Sequence, residues 1–362
     1  MTPVRFSEQI IETCRHLGFA KAGIASLEPS RYEAELRAWL DAGRHGSMEY
    51  LAEHLDLRLD PASMLDGARA AIIVADLYAE RGEGDDQPLG IGHGRIARYA
   101  RGRDYHTVIK KRLHTLCDTL RASHPDAAFR AFSDTAPLLE RELAQRAGIG
   151  WVAKHTLVIE PRLGSWLLLG GVLTTLDLEP PAAQREIDDH CGTCTRCVDA
   201  CPTDAITPYS VDATRCISYL TIERREPIDE AFFDPIGEWL FGCDICQEVC
   251  PHNSPRSSPE SRHEAYQPIE DEAGRPRDSF DLLAVLGWSE HDRRSAFSRS
   301  ALKRATLAMM KRNALIVAGN ALARHDTPEA RARVQEIARD SDEDAMVQAT
   351  ARAVLDRANR TR

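Results

Sequence analysis

The chain has 362 residues, a formal net charge of -10, and 43% hydrophobic and 28% charged residues. This is the composition of a folded protein of two or three units rather than a disordered chain, and its acidity excludes blanket nucleic-acid binding, which carries a basic footprint. The longest apolar run, Trp166 to Leu173, is far short of the roughly 20 residues of a membrane helix, and the N-terminus lacks a signal-peptide or lipidation pattern, so neither membrane association nor secretory export is expected.

Up to about residue 175 the apolar period switches repeatedly between helix and strand. Ile10, Ile11, Cys14 and Leu17 fall at helical spacing, and a short strand follows over 19–25. The pattern predicts further strands over 70–77, 128–133, 156–159 and 166–173, and helices over 31–41, 104–121 and 137–147. This is a layered α/β (α+β) domain over residues 1–180. Residues 181–255 are rich in Cys, Pro and turn formers and poor in large apolar residues, so bound metal must supply much of their folding energy. They form a small cluster domain whose core is rejoined by 205–240. After a Pro- and Ser-rich linker over 251–259, predicted helices at 280–286, 298–323, 328–339 and 343–358 make an all-α domain of residues 260–362, with HEAT-like stacked pairs as the natural packing.

Of the ten cysteines, Cys14 and Cys117 sit alone in helical patterns, and the others crowd between Cys191 and Cys250. That distribution points to a reducing, cytoplasmic compartment. The run Cys191-x2-Cys194-x2-Cys197-x3-Cys201-Pro202 has bacterial ferredoxin spacing, in which three thiolates converge on one cube and the cysteine before proline ligates the other. The second run, Cys243-x2-Cys246-x3-Cys250-Pro251, has Leu240 where a first cysteine would complete it, and Cys216 restores the count. Cluster one is therefore assigned to Cys191, Cys194, Cys197 and Cys250, and cluster two to Cys201, Cys216, Cys243 and Cys246, both as [4Fe-4S]. Structural zinc is the alternative, but zinc sites rarely use this crossed series. Two clusters pass single electrons in succession, which suits a carrier or an enzyme; the long flanks on either side favour an enzyme.

Other segments carry weaker signals. There is no Walker A sequence, and Gly90, Gly92 and Gly94 lack the spacing of a dinucleotide site. Asp104-Tyr105-His106 opens a helix, with Asp104 placed to cap it; no glycine follows His106, so histidine ligation of a corrinoid cobalt is not supported. Asp134 stands between a strand and a helix, either as a cap or as a carboxyl at the C-terminal edge of a sheet acting as proton donor, with a pKa raised by partial burial. Arg293, Arg294, Arg299, Lys303, Arg304, Lys311 and Arg312 occur with no intervening acid, as a phosphate-binding face or a solvated helix surface. Trp151 and Trp166 read as core.

Several segments, in order, resemble the epoxyqueuosine reductase family: Arg98-Tyr-Ala-Arg-Gly-Arg-Asp-Tyr-His106, Ser133-Asp-Thr-Ala-Pro-Leu-Leu-Glu-Arg141, Gly150-Trp-Val-Ala-Lys-His155, Gly164-Ser-Trp166, the cysteine runs, Arg215-Cys-Ile-Ser-Tyr-Leu-Thr-Ile-Glu223 and Lys311-Arg-Asn-Ala-Leu-Ile-Val-Ala-Gly-Asn320. The resemblance implies reduction of the epoxide of epoxyqueuosine at the tRNA wobble position, the last step of queuosine biosynthesis. It also implies a base-off cobalamin, two [4Fe-4S] clusters, a low-potential electron donor of ferredoxin or flavodoxin type, a monomer, and a HEAT-like domain that helps hold tRNA through Arg293, Arg294, Lys303, Arg304, Lys311 and Arg312. By motif, Asp134 is the proton donor, while Glu53, Asp104, His106, Asp134, His155, Ser218, Glu223, Cys243 and Asp244 fall at corrinoid contacts. Two positions depart from the family: Ala153, where Gly usually precedes Lys, and Gly171, where Glu is usual. The rival readings are a dehalogenase-like reduction of a small molecule and a non-catalytic electron-transfer subunit.

Overall fold

The computed structural model describes residues 3–80, 89, 92–254, 261–270, 276–324 and 327–360. Strand Ala70–Leu77 is buried at all eight positions, which explains its unbroken apolar sequence. It lies between Lys21–Ser26 and Leu167–Thr174, and Phe129–Phe132 adds the far edge. Ile72 and Val74 pack with Ile10 and Cys14 of helix Pro3–His16 and with Ile109, Leu113 and Leu116 of helix Tyr105–Ser123. Ala71, Ile73 and Ala75 point the other way, onto Leu143 and Ala144 of helix Glu140–Arg146. Helices thus cover both faces, as the period-two alternation of a strand requires.

All three pairings in this sheet are antiparallel. The layered α+β form of the expectation is realised, but the rule that places ligands at the C-terminal edge of a sheet holds for parallel strands and does not apply to Asp134 here. Asp134 instead follows the edge strand Phe129–Phe132 and turns away at φ 59°.

A second sheet joins the three regions separated by composition. Trp239–Phe241 pairs in parallel with His93–Ile96, which pairs antiparallel with Ser279–Asp281. One core runs from Ile96 and Phe241 to Leu315, Ile316 and Val347, so the expected boundaries near 180 and 255 cross a shared sheet and a shared core. Leu240 is fully buried here, and a Cβ on Gly94 would come within 2.8 Å of the Leu240 Cβ. The position where the second cysteine run lacks its first ligand is thus a core position of a strand.

The helix expected over 298–323 divides into the 3-10 turn Ala301–Arg304, capped by Ser300, and helix Leu307–Arg324. Helix 328–339 occupies its expected span, and Ala345–Arg360 packs against both of these long helices. The expected linker begins as the turn Pro251–Asn253, and its residues 255–259 lie outside the described residues. Among the described residues no helix is long and apolar enough to cross a membrane.

Candidate functional site

Short helices Arg196–Asp199 and Ile245–Glu248 pack together and carry cysteines of the two runs toward each other. Cys191, Cys194, Cys197 and Cys250 line one cavity with Lys154 and His155. The other four are electrostatic neighbours: burial raises the Cys246 thiol, and Cys216 and Cys201 add to it, while Cys243 is raised by burial and by Cys246 and Cys216. Cys191, Cys194, Cys197 and Cys250 thus share a cavity, and Cys201, Cys216, Cys243 and Cys246 lie near one another. Cys197 also acts on Cys246, so the two sites adjoin.

The surroundings suit an acceptor-rich metal–sulfur core. His155 Nε2 is buried with no hydrogen-bond partner among the described residues, and the buried Trp151 indole N–H faces the Cys191 thiol. Trp151 packs against Cys191 and Cys250, and His155 lines the first cavity. Bridging sulfides would accept from such donors. Among the described residues no three His, Cys, Asp or Glu converge on a single metal ion.

A second feature is a cleft around Asp134. The backbone N–H of Asp134 donates to Glu140 Oε1 at 2.5 Å, which fixes the left-handed turn just before helix Glu140–Arg146 begins. Its carboxylate meets His106 Nε2 at 2.9 Å, and His106 Nδ1 meets Asp104 Oδ1 at 2.8 Å. Asp104 also caps helix Tyr105–Ser123, so the capping reading of that residue holds and the cap serves to orient His106.

The charges follow from this geometry. Burial works against the His106 cation, but hydrogen bonds to Asp104 and Asp134 outweigh it and raise its pKa to about 9. For Asp134, burial alone would raise the carboxyl, as sequence reasoning expected. The bond to His106, with Tyr105 and Arg304 assisting, reverses the sign and holds it below its ordinary value. Glu140, raised to about 8 by burial and by the Asp134 charge, stays largely protonated at neutral pH.

Arg141 is solvent-exposed, yet its surroundings desolvate it enough to lower its pKa. Tyr50, one of the few exposed large apolar residues, shares this space: its hydroxyl is raised by burial and by the charge of Glu223, and it also senses Arg304 and Asp134. Arg304 makes a two-pronged bond to Glu223 at 2.8 and 2.6 Å, and its guanidinium sits 5.7 Å from the Tyr50 ring centroid. Gly46 and Ser47 press on Tyr219, bringing the segment that bears Tyr50 and Glu53 against helix Ile217–Ile222.

The residues proposed as corrinoid contacts divide. Glu53 is exposed, and Ser218, Glu223 and Cys243 are partly exposed. Asp244 is buried and engaged internally: it accepts from the Arg98 backbone N–H at 2.7 Å, and burial raises its pKa to about 6 against the pull of Arg98 and Arg101. His155 is buried beside the first cysteine quartet.

The basic series divides as well. Arg312 is fully buried and donates to the backbone oxygens of Leu220, Arg224 and Glu226. Lys311 is buried in a pair with Glu343, and Arg293 is tied to Glu290 and the Ala305 carbonyl. These three are structural in this fold, so neither a phosphate face nor a solvated helix surface describes them. Arg294, Arg299, Lys303 and Arg304 are exposed. The Arg299 carbonyl accepts from the Asp104 N–H at 2.7 Å, so this loop forms the rim of the Asp134 cleft.

Sequence reasoning missed Tyr50, Glu140, Arg141 and Lys154. Glu140 and Arg141 lay within a segment already matched, whereas Tyr50 had no signal at all. Of the departures, Ala153 is fully buried beside Trp151 and Cys250, and Gly171 faces Phe132, whose ring lies 2.6 Å from where a Cβ would stand. In this chain Phe132 fills the room a larger residue at 171 would take.

An α+β scaffold, eight cysteines in two adjoining quartets and a carboxylate-imidazole cleft define an iron–sulfur oxidoreductase of the double-cluster class. Residues 190–253 match the family described as 4Fe-4S double cluster binding domain, and 58–135 match Epoxyqueuosine reductase QueG, DUF1730. An epoxyqueuosine reductase of Leadbetterella byssophila is 38% identical over 86% of this chain and 98% of its own length. The crystal structure of an epoxyqueuosine reductase with a tRNA-Tyr epoxyqueuosine-modified stem loop superposes with TM-score 0.86 at 27% identity, over 99% of this chain and 91% of that one. A Bacillus subtilis epoxyqueuosine reductase, solved with its aspartate-bearing catalytic loop swung out of the active site, superposes with TM-score 0.84 at 26% identity, over 99% and 91% of the two chains. The chain belongs to the epoxyqueuosine reductase family.

Proposed function

We propose that this protein reduces the epoxide of epoxyqueuosine in the anticodon loop of tRNA to the cyclopentene of queuosine. The observation that carries the reading is the Asp104–His106–Asp134 chain, which holds a transferable proton on the wall of an open cleft rimmed by exposed cations. The reaction consumes two electrons and two protons and releases one water. A C–O bond of an epoxide breaks readily when the departing oxygen gains a proton as the carbon gains electrons.

The proton resides on His106 Nε2 against Asp134 Oδ2 and reaches the oxygen through Asp134. Tyr105, hydrogen-bonded to Asp134, and Glu140, holding its backbone, keep the carboxylate aimed into the cleft. Cys191, Cys194, Cys197 and Cys250, and Cys201, Cys216, Cys243 and Cys246, would hold two [4Fe-4S] clusters, which when bound would supply single electrons drawn from a low-potential donor of ferredoxin or flavodoxin type.

A base-off cobalamin would be held by Glu53, Ser218, Glu223 and Cys243 beside the second quartet, with the buried Asp244 behind Cys243. When bound, it supplies a strongly reducing metal centre. Arg294, Arg299, Lys303 and Arg304 meet phosphates, and the C-terminal helices form a HEAT-like domain that braces this rim from residue 260 onward, behind a reductase domain of 1–180 and a cluster domain of 181–255. The enzyme acts as a cytoplasmic monomer. Anaerobic incubation with cobalamin, a low-potential reductant and stem loops bearing epoxyqueuosine, followed by nucleoside mass analysis, tests the reading; no queuosine from iron-replete protein refutes it.

A further inference from the structure

Lys154 is a buried ammonium beside the first cysteine quartet. Its Nζ donates to the carbonyls of Gly192 and Cys194 at 2.6 and 2.9 Å, and its side chain lines the cavity formed by Cys191, Cys194, Cys197 and Cys250. It clamps the loop between the first two ligands and sets a fixed positive charge there. The second quartet adjoins Asp244 instead, a buried carboxylate held by Arg98 and Arg101. The two sites therefore differ in buried charge: Lys154 donates to two uncharged carbonyls, whereas beside the second quartet the Asp244 carboxylate is offset by the buried Arg98 and Arg101.

We propose that Lys154 is the tuning residue that raises the reduction potential of cluster one above that of cluster two. Reduction of a [4Fe-4S] core from the 2+ to the 1+ state adds one electron, supplied by the external low-potential reductant, and makes a thiolate-ligated cluster more negative. A buried cation stabilises the reduced form more than the oxidised one, and low local dielectric strengthens the effect. Exposed charges near this loop act weakly by comparison: the Asp189 carboxylate, which accepts from the Cys191 N–H at 2.7 Å, and Arg196 both face solvent. Cluster one also lies beneath exposed Gly192, Thr193 and Thr195, so the cluster that is easier to reduce is the one nearer an incoming donor.

The inference rests on the iron–sulfur part of the proposed function. The test is an anaerobic redox titration of reconstituted holoenzyme, followed by the electron paramagnetic resonance of the reduced clusters, for wild type, K154R and K154Q; C250S assigns the wave of cluster one. The expected result is two waves, with cluster one at the higher potential. K154Q moves that wave to more negative potential and leaves the other in place, and K154R restores it. An unmoved wave in K154Q, equal movement of both waves, or loss of cluster-one iron in K154Q with retention in K154R would overturn the proposal, the last by assigning Lys154 to assembly. Wild type without iron would instead refute the cluster reading itself.

Discussion

His106 and Asp134, 28 residues apart in sequence, meet through Nε2 and Oδ2 at 2.9 Å. The contact inverts what burial alone would do to each: the imidazole is held protonated and the carboxyl ionised. The acid in this cleft is thus a pair, with Asp104 as its second anchor.

A pH dependence follows. The pKa of His106 rises from its ordinary 6.5 to about 9, so its contribution to stability is complete below about 6.5 and is lost as pH rises through about 9. The proton for the leaving oxygen disappears over the same upper range. Initial rates of queuosine formation should fall above about pH 9. H106A should lack that limb and be slower throughout; an identical profile in H106A would contradict the pairing.

The cysteine assignment makes a separate claim. C250S should lose about half of the iron and C216S the other half, as four ligands serve each cubane. Iron analysis with resonance spectra of each variant checks this, and loss of the same cluster in both would break the crossed assignment.

The two kinds of basic residue should separate cleanly. Arg312→Met removes a fully buried guanidinium that donates to three backbone carbonyls and should cost about 3 kcal/mol or more, read as a lower denaturant midpoint. Lys303→Ala should leave the midpoint unchanged, weaken stem-loop binding and reduce the salt slope by about 1.

At Gly171 a methyl group would meet the Ile72 carbonyl and the Phe132 ring, each at 2.6 Å. Gly171→Ala should destabilise by about 1–3 kcal/mol, and Phe132→Leu should recover part of that loss when combined with it, as measured by thermal unfolding.

How much of this was legible in the sequence depends on the range of the interaction. Strand Ala70–Leu77 and helix Pro328–Arg339 fell at their expected spans because an unbroken apolar run and a proline in the first turn of a helix are local signals. The crowding of cysteines into runs was legible because Cys-x2-Cys spacing is itself a short-range code. Antiparallel strand order was not, since a buried strand reads alike in either direction. Arg312 read as part of a surface charge run because sequence does not reveal which face turns inward, and the carbonyls that receive it come from 86 to 92 residues away. The direction of the Asp134 shift was missed for the same reason: burial could be guessed, the partner could not. Leu240 read as the place of a missing ligand, and the structure puts it fully buried in the core strand Trp239–Phe241.

The most direct test of the central claim compares wild type with Asp134→Asn at matched iron and cobalamin content, on the same epoxyqueuosine stem loop under anaerobic reduction. The account expects queuosine from wild type and a loss of roughly 10²- to 10⁴-fold in Asp134→Asn, with stem-loop affinity retained. Equal rates in the two proteins would contradict it.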